Sequence, residues 1–112
     1  MAFHILHTTD DLDAAIRASH EQPIVLFKHS ASCPFSARAQ EQVANAKHDV
    51  DVYGIVVQYK QDLSAAIAER TGVEHQSPQA IVLHRGESLG DYWRSDIQED
   101  TLISEVRRAA GV

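Results

Sequence analysis

Cysteine is nearly missing from this sequence: 112 residues hold a single one, Cys33. One thiol cannot close an internal disulfide, so no covalent staple explains it and a reducing compartment is expected. There is also no Cys-x-x-Cys pair and no paired His motif among the seven histidines. His29-x-x-x-Cys33 and His75 flank one region, but that set is too small for a structural zinc site, and no metal is expected. Basic residues are few too, ten Lys and Arg against sixteen Asp and Glu, for a formal net charge of −6. Nucleic-acid backbones are held by clustered Lys and Arg, so no nucleic-acid partner is expected. No stretch approaches the roughly 20 apolar residues that cross a bilayer. The start, Met1-Ala2-Phe3-His4-Ile5-Leu6-His7, lacks the basic opening and long apolar core of a signal peptide. A cytoplasmic protein without a membrane partner is the expectation. Repeats, low-complexity tracts and linkers are absent as well, so residues 1–112 are expected to form one domain.

What is present reads as a globular α/β chain, with 44% hydrophobic and 23% charged residues. Phe3 to His7 alternates weakly, as a short strand does. Thr8-x-x-Asp11 is a helix-start signal, and Leu12, Ala15, Ile16 and Ser19 share one face behind it. After Pro23, Ile24-Val25-Leu26-Phe27 is a continuous apolar run, the pattern of a strand covered on both sides. A helix is predicted from Pro34 to about Lys47, with Phe35, Ala39, Val43 and Ala46 on its buried stripe. Val50 to Val57 predicts another central strand. Asp62 is the expected cap of a helix that turns Leu63 and Ile67 inward and ends at Gly72. Beyond Ser77-Pro78, Ala80-Ile81-Val82-Leu83 is a further apolar strand, and Arg85-Gly86-Glu87 a hairpin turn into a strand through Leu89 toward Trp93. Leu102, Ile103, Val106 and Ala110 mark a last helix, with Glu99 and Asp100 at its start and Arg107 and Arg108 at its end, as the helix dipole favours. The order is β-α-β-α-β-α-β-β-α, a central mixed sheet with helices packed on it.

Cys33 falls where the first apolar strand gives way to a helix, with Pro34 at the first helical position. Free backbone N–H groups and the dipole at a helix start favour a thiolate, and such sites lower a cysteine pKa from about 8.5 to roughly 3.5–7.5. Lys28 and His29 add positive potential upstream, and Ser36 lies one turn along, in place to donate a hydrogen bond to the sulfur. Phe27 and Phe35 act the other way by desolvation. Taken alone, Cys33 reads equally well as a small buried hydrophobe. Its flanks, Ser30, Ala31, Ser32 and Ser36, are small and polar, unlike a core stripe. Ser77-Pro78 reads either as an ordinary strand-entry proline or as a cis bond, which X-Pro tolerates cheaply. Asp10, Asp11 and Asp13 fit a solvated helix start better than a carboxylate cluster.

Two segments together carry a family resemblance. Phe27-Lys28-His29-Ser30 with Ser32-Cys33-Pro34-Phe35-Ser36, and Gly72-Val73-Glu74-His75-Gln76-Ser77-Pro78-Gln79 before an apolar strand, resemble the monothiol bacilliredoxin family of the thioredoxin-like superfamily. The resemblance implies a thioredoxin-like fold and bacillithiol-dependent redox chemistry. It makes Cys33 the nucleophile and puts Ser36 where dithiol relatives carry a resolving cysteine. Pro78 then matches the cis-proline facing the active site, and the Ser77 backbone pairs with the bound thiol. Lys28 and Pro34 complete the expected substrate-binding set. The segment Trp93-Arg94-Ser95-Asp96-Ile97 departs from the family, which often carries His and Trp there.

The implied activity is removal of a low-molecular-weight thiol, bacillithiol by the resemblance, from S-thiolated client proteins. No bound cofactor is expected; the small thiol is a co-substrate. Without a second cysteine, another thiol must resolve the Cys33 adduct. Two other classes stand beside this one. Cys33-Pro34-Phe35-Ser36 is similar to the Cys-Gly-Phe-Ser motif of monothiol glutaredoxins, which hold an iron–sulfur cluster. Here Pro34 replaces that glycine, which removes a donor and argues against a cluster. The third class is a thioredoxin-like interaction module with a redox-silent cysteine.

Overall fold

Strand β2 (Ile24–His29) is buried along most of its length and organises the molecule. The computed structural model describes residues 3–30 and 34–111. In chain order the other elements are β1 (Phe3–Ile5), α1 (Thr9–Ala18), α2 (Pro34–Ala46), β3 (Val52–Val56) and α3 (Gln61–Thr71). They are followed by β4 (Gln79–His84), β5 (Glu87–Trp93), a single 3-10 turn (Arg94–Asp96) and α4 (Glu99–Ala110). The sheet order is β1-β3-β2-β4-β5. β1 and β2 run parallel to β3, whereas β4 is antiparallel to both β2 and β5.

Period-two alternation divides the core between the two faces of this sheet. Val25 and Phe27 of β2 join Ala39, Val43 and Ala46 of α2 and Leu102 and Val106 of α4. Ile24 and Leu26 turn the other way, onto Leu12 and Ala15 of α1 and Leu63 and Ile67 of α3. Helices thus cover both faces, which is why β2 and β4 read as unbroken apolar runs rather than alternating ones.

Local signals account for most element ends. Thr8 Oγ1 accepts from the Asp11 N–H at 3.2 Å, and Asp11 Oδ2 accepts from the Thr8 and His7 N–H groups at 3.1 and 2.8 Å, a closed capping box. The His7 and Thr8 amides hold the Asp11 carboxyl below its usual pKa. Gly72 ends α3 in the left-handed region, at φ 73°. Arg85 and Gly86 take φ values of 55° and 77° between paired His84 and Glu87, the two-residue turn that matches strand twist.

Two local expectations are corrected. Phe35 does not join the buried stripe of α2; it is 47% exposed, and Ser36 takes the inward position. Phe35 stands four residues before Ala39, at the edge of that stripe, but in this first turn its ring meets the Arg94 guanidinium, 5.1 Å away, rather than the core. Asp62 is not the cap of α3: the helix begins at Gln61 after Lys60, which gives no side-chain cap bond. Asp62 sits within the first turn, where its charge still suits the dipole. The 3-10 turn after Trp93 had no counterpart in the sequence pattern. Among the described residues, no helix is long and apolar enough to cross a membrane.

Candidate functional site

The expected nucleophile, Cys33, lies outside the described residues, as do Ala31 and Ser32. The residues on either side of that segment are described. β2 ends at His29, and Pro34 is the first residue of α2, the position where a missing N–H costs nothing. The Ser30 N–H donates to Ser36 Oγ at 2.9 Å, and Ser36 is 1% exposed. This bond ties the end of the strand to the first turn of the helix. Gln58 Nε2 donates to Ser30 Oγ at 2.6 Å, which brings the end of β3 to the same point. Ser36 therefore already serves as an acceptor, and its hydroxyl proton remains to donate.

Ser77 and Pro78 reach this end of the sheet from the other side. β4 begins at Gln79, whose register partner is Lys28, so Pro78 stands level with the last residue of β2. The Ser77-Pro78 peptide is cis. Pro78 is buried, and its carbonyl accepts from the Arg94 N–H at 3.2 Å. Ser77 Oγ is buried and has no hydrogen-bond partner among the described residues. The described parts of the expected set, Ser36, Pro34, Ser77 and Pro78, thus converge on one edge of the fold.

Residues 4–102 match the family described as Monothiol bacilliredoxin BrxC. The chain belongs to the monothiol bacilliredoxin family. A solved structure described as a candidate oxidoreductase with a thioredoxin fold is similar to it at 32% identity, with 92% of each chain covered and a TM-score of 0.84. The thioredoxin of Fasciola hepatica matches at 16% identity, over 95% of this chain and 98% of that one, with a TM-score of 0.73. A thioredoxin variant from Halobacterium salinarum matches at 17% identity, over 96% and 90%, with a TM-score of 0.75. The fold is thioredoxin-like, and the family is one of thiol oxidoreductases.

In this bacilliredoxin, Lys28 is not placed as expected. It was expected to touch the bound thiol, but its side chain is fully buried, on the face of β2 that carries Ile24 and Leu26. Its Nζ lies 3.1 Å from His75 Nδ1. An ammonium only donates, so Nδ1 accepts and the neutral ring carries its proton on Nε2. Burial, and then the Lys28 charge, push the His75 pKa down. Burial lowers Lys28 itself to about 8, with Asp91 opposing. His29 stacks on Phe27, with ring centroids 5.1 Å apart, and burial lowers its pKa too. Both histidines flanking the site are therefore neutral near pH 7, and the positive potential expected of His29 is absent there.

Sequence reasoning missed Gln79. It is fully buried; its Nε2 donates to the Glu74 carbonyl at 3.1 Å, while its Oε1 has no partner among the described residues. Lys28 and Gln79, paired across β2 and β4, thus anchor the loop that leads into Ser77 and Pro78 at two points. The signal available was a lysine in step with Ile24 and Leu26, at a position where that period demands an apolar residue. Gln58, Gln61, Ser64 and His75 line a groove of about 470 Å³ beside this loop. Among the described residues, no three His, Cys, Asp or Glu side chains are grouped to hold a metal ion.

The buried Lys28 charge has a measurable consequence. The unfolded chain keeps a lysine pKa near 10.5 while the folded one falls to about 8, so the unfolded state binds the proton more tightly. The penalty is complete below pH 8 and is relieved as pH rises from 8 to 10.5, so stability should climb across that window. At about 1.4 kcal/mol per unit, the climb is on the order of 3 kcal/mol. In Lys28→Met, which keeps the volume without the charge, the climb should vanish. Urea unfolding at pH 7 and pH 10 checks this, and an unchanged climb in the variant would assign the effect to another group.

Proposed function

We propose that this bacilliredoxin removes a low-molecular-weight thiol, bacillithiol, from protein mixed disulfides through Cys33. The reading is carried by one observation: a family match over residues 4–102 in a chain with a single cysteine and serine three positions after it. The Cys33 thiolate attacks the small-thiol sulfur of the client disulfide. The client leaves as a thiolate and takes up a proton, and Cys33 is left joined to the small thiol. A second small thiol attacks that adduct, which yields the small-thiol disulfide and restores the Cys33 thiolate. The start of α2 supplies unsatisfied N–H groups that favour a thiolate just before Pro34, while Lys28 adds a buried positive charge behind β2. Pro34 and the Ser77 backbone border the position of the bound thiol, next to the cis Pro78. Its working form is one domain in a reducing, cytoplasmic compartment, with S-thiolated proteins as clients.

The test compares one client loaded with bacillithiol or with glutathione. The bacillithiol-loaded client should be cleared faster; equal rates would remove the bacillithiol preference and keep the exchange. A second expectation concerns Ser36→Cys. Three-residue spacing at the helix start puts the new thiol in reach of Cys33, so the trapped adduct should become short-lived in intact-mass analysis. An adduct as persistent as that of the parent would show that the two positions do not face each other.

A further inference from the structure

Arg94 stands out in a chain of formal net charge −6. Its guanidinium carbon lies 4.1 Å from the ring centroid of Trp93 and 5.1 Å from that of Phe35. Both rings are exposed, Phe35 at 47% and Trp93 at 38%, so the cluster faces solvent. Among the described residues, no carboxylate lies within ion-pair distance of Arg94. Its backbone is in the left-handed region at φ 54°, uncommon for a side chain larger than glycine. That conformation is held on both sides: the Arg94 N–H donates to the Pro78 carbonyl at 3.2 Å, and the Arg94 carbonyl accepts from the Ile97 N–H at 3.1 Å. These two hydrogen bonds fix the direction in which the Arg94 side chain leaves the backbone.

The cluster also spans the site. Phe35 belongs to the first turn of α2, two residues after Cys33, and the Pro78 carbonyl belongs to the loop on the other side. A guanidinium stacked on aromatic rings keeps its in-plane N–H fork open, and that fork matches the two oxygens of a carboxylate. A single fork on two rings is a site for one acidic group on a small molecule. A protein surface would need a contact area many times larger.

We propose that Arg94, seated on Phe35 and Trp93, binds a carboxylate of the small thiol whose sulfur reacts at Cys33. The proposal rests on the exchange reading for its ligand, but its test does not depend on exchange taking place. Trp93 is the chain's one tryptophan, so its fluorescence reports on the cluster directly. The probes are S-methyl bacillithiol and S-methylglutathione, which cannot form disulfides, each as free acid and as methyl ester. At least one free acid should change Trp93 fluorescence saturably and bind about tenfold more tightly than its ester, the scale of one charge-assisted hydrogen-bond pair. Arg94→Gln should erase the difference between acid and ester. The two probe series tell which small thiol supplies the carboxylate. No saturable change with either acid, equal binding of acid and ester, or a preference surviving in Arg94→Gln would each overturn the proposal. Saturation of Trp93 with no exchange at Cys33 would instead leave this site standing and remove the oxidoreductase reading.

Discussion

Cys33→Ser is expected to bring disulfide exchange down to the uncatalysed background while the unfolding midpoint stays within experimental error of the parent. No other residue of the chain carries a thiol, so nothing can take over the attack. A hydroxyl is far from ionisation at neutral pH and has no route to a disulfide. The fold does not depend on this thiol for a crosslink, because a lone cysteine makes none within the chain. The two properties should therefore separate, with activity lost and stability kept. Stopped-flow exchange with a small aromatic disulfide and urea unfolding on the same preparation check both. Exchange persisting in Cys33→Ser would remove the catalytic role of the cysteine. A large loss of stability would mark it as a core residue.

Phe27→Ala should produce the largest change in stability, roughly 3–5 kcal/mol. Such a loss is a large part of the 5–15 kcal/mol that typically separates folded from unfolded domains. Phe27 is fully buried in the middle of β2 and packs toward α2. Its register partners are Gly54 on β3 and Ala80 on β4, both too small to fill the space left by the ring. The Gly54 side is also crowded, because a Cβ there would meet the Phe3 ring at 2.8 Å. The cavity should therefore persist rather than collapse. His29 would lose its stacking partner at the same time, so the end of β2 nearest the site should loosen. Chemical denaturation measures the first effect, and amide exchange at His29 and Ser30 measures the second. A loss below about 1 kcal/mol would show that the neighbours collapse into the space and that β2 is not the organising strand.

Much of this architecture was legible because its signals are local. The apolar runs of β2 and β4, the Thr8 capping box, the Gly72 helix end and the Arg85-Gly86 turn each follow from a few adjacent residues. That the end of β2 and Ser77-Pro78 belong to one region was legible as a resemblance, and the register of Lys28 with Gln79 brings these two described segments level. What escaped depends on contacts distant in sequence. Lys28 was read as a positive charge that touches the bound thiol, but its alternation with Ile24 and Leu26 puts it inside, against His75, 47 positions away. Gln79 was missed because it precedes the apolar run that defines its strand, although it is in step with Ile81 and Leu83. Phe35 was assigned inward because it shares a stripe with Ala39, Val43 and Ala46, yet its ring meets Arg94 from another element, and Ser36 turns inward to accept the Ser30 N–H. Arg94 drew no attention as a binding residue, because its aromatic partners come from two separate elements.

The central claim is that a small thiol passes from a client protein onto Cys33, and intact-mass analysis of both proteins during a single turnover tests it most directly. With a client carrying one bacillithiol per chain and no free thiol to resolve the product, the client should lose that mass as this bacilliredoxin gains it, one for one and at equal rates. The Cys33→Ser chain should gain nothing. A client that sheds its thiol while the parent chain never carries the added mass, or a client that keeps its thiol throughout, would contradict the account.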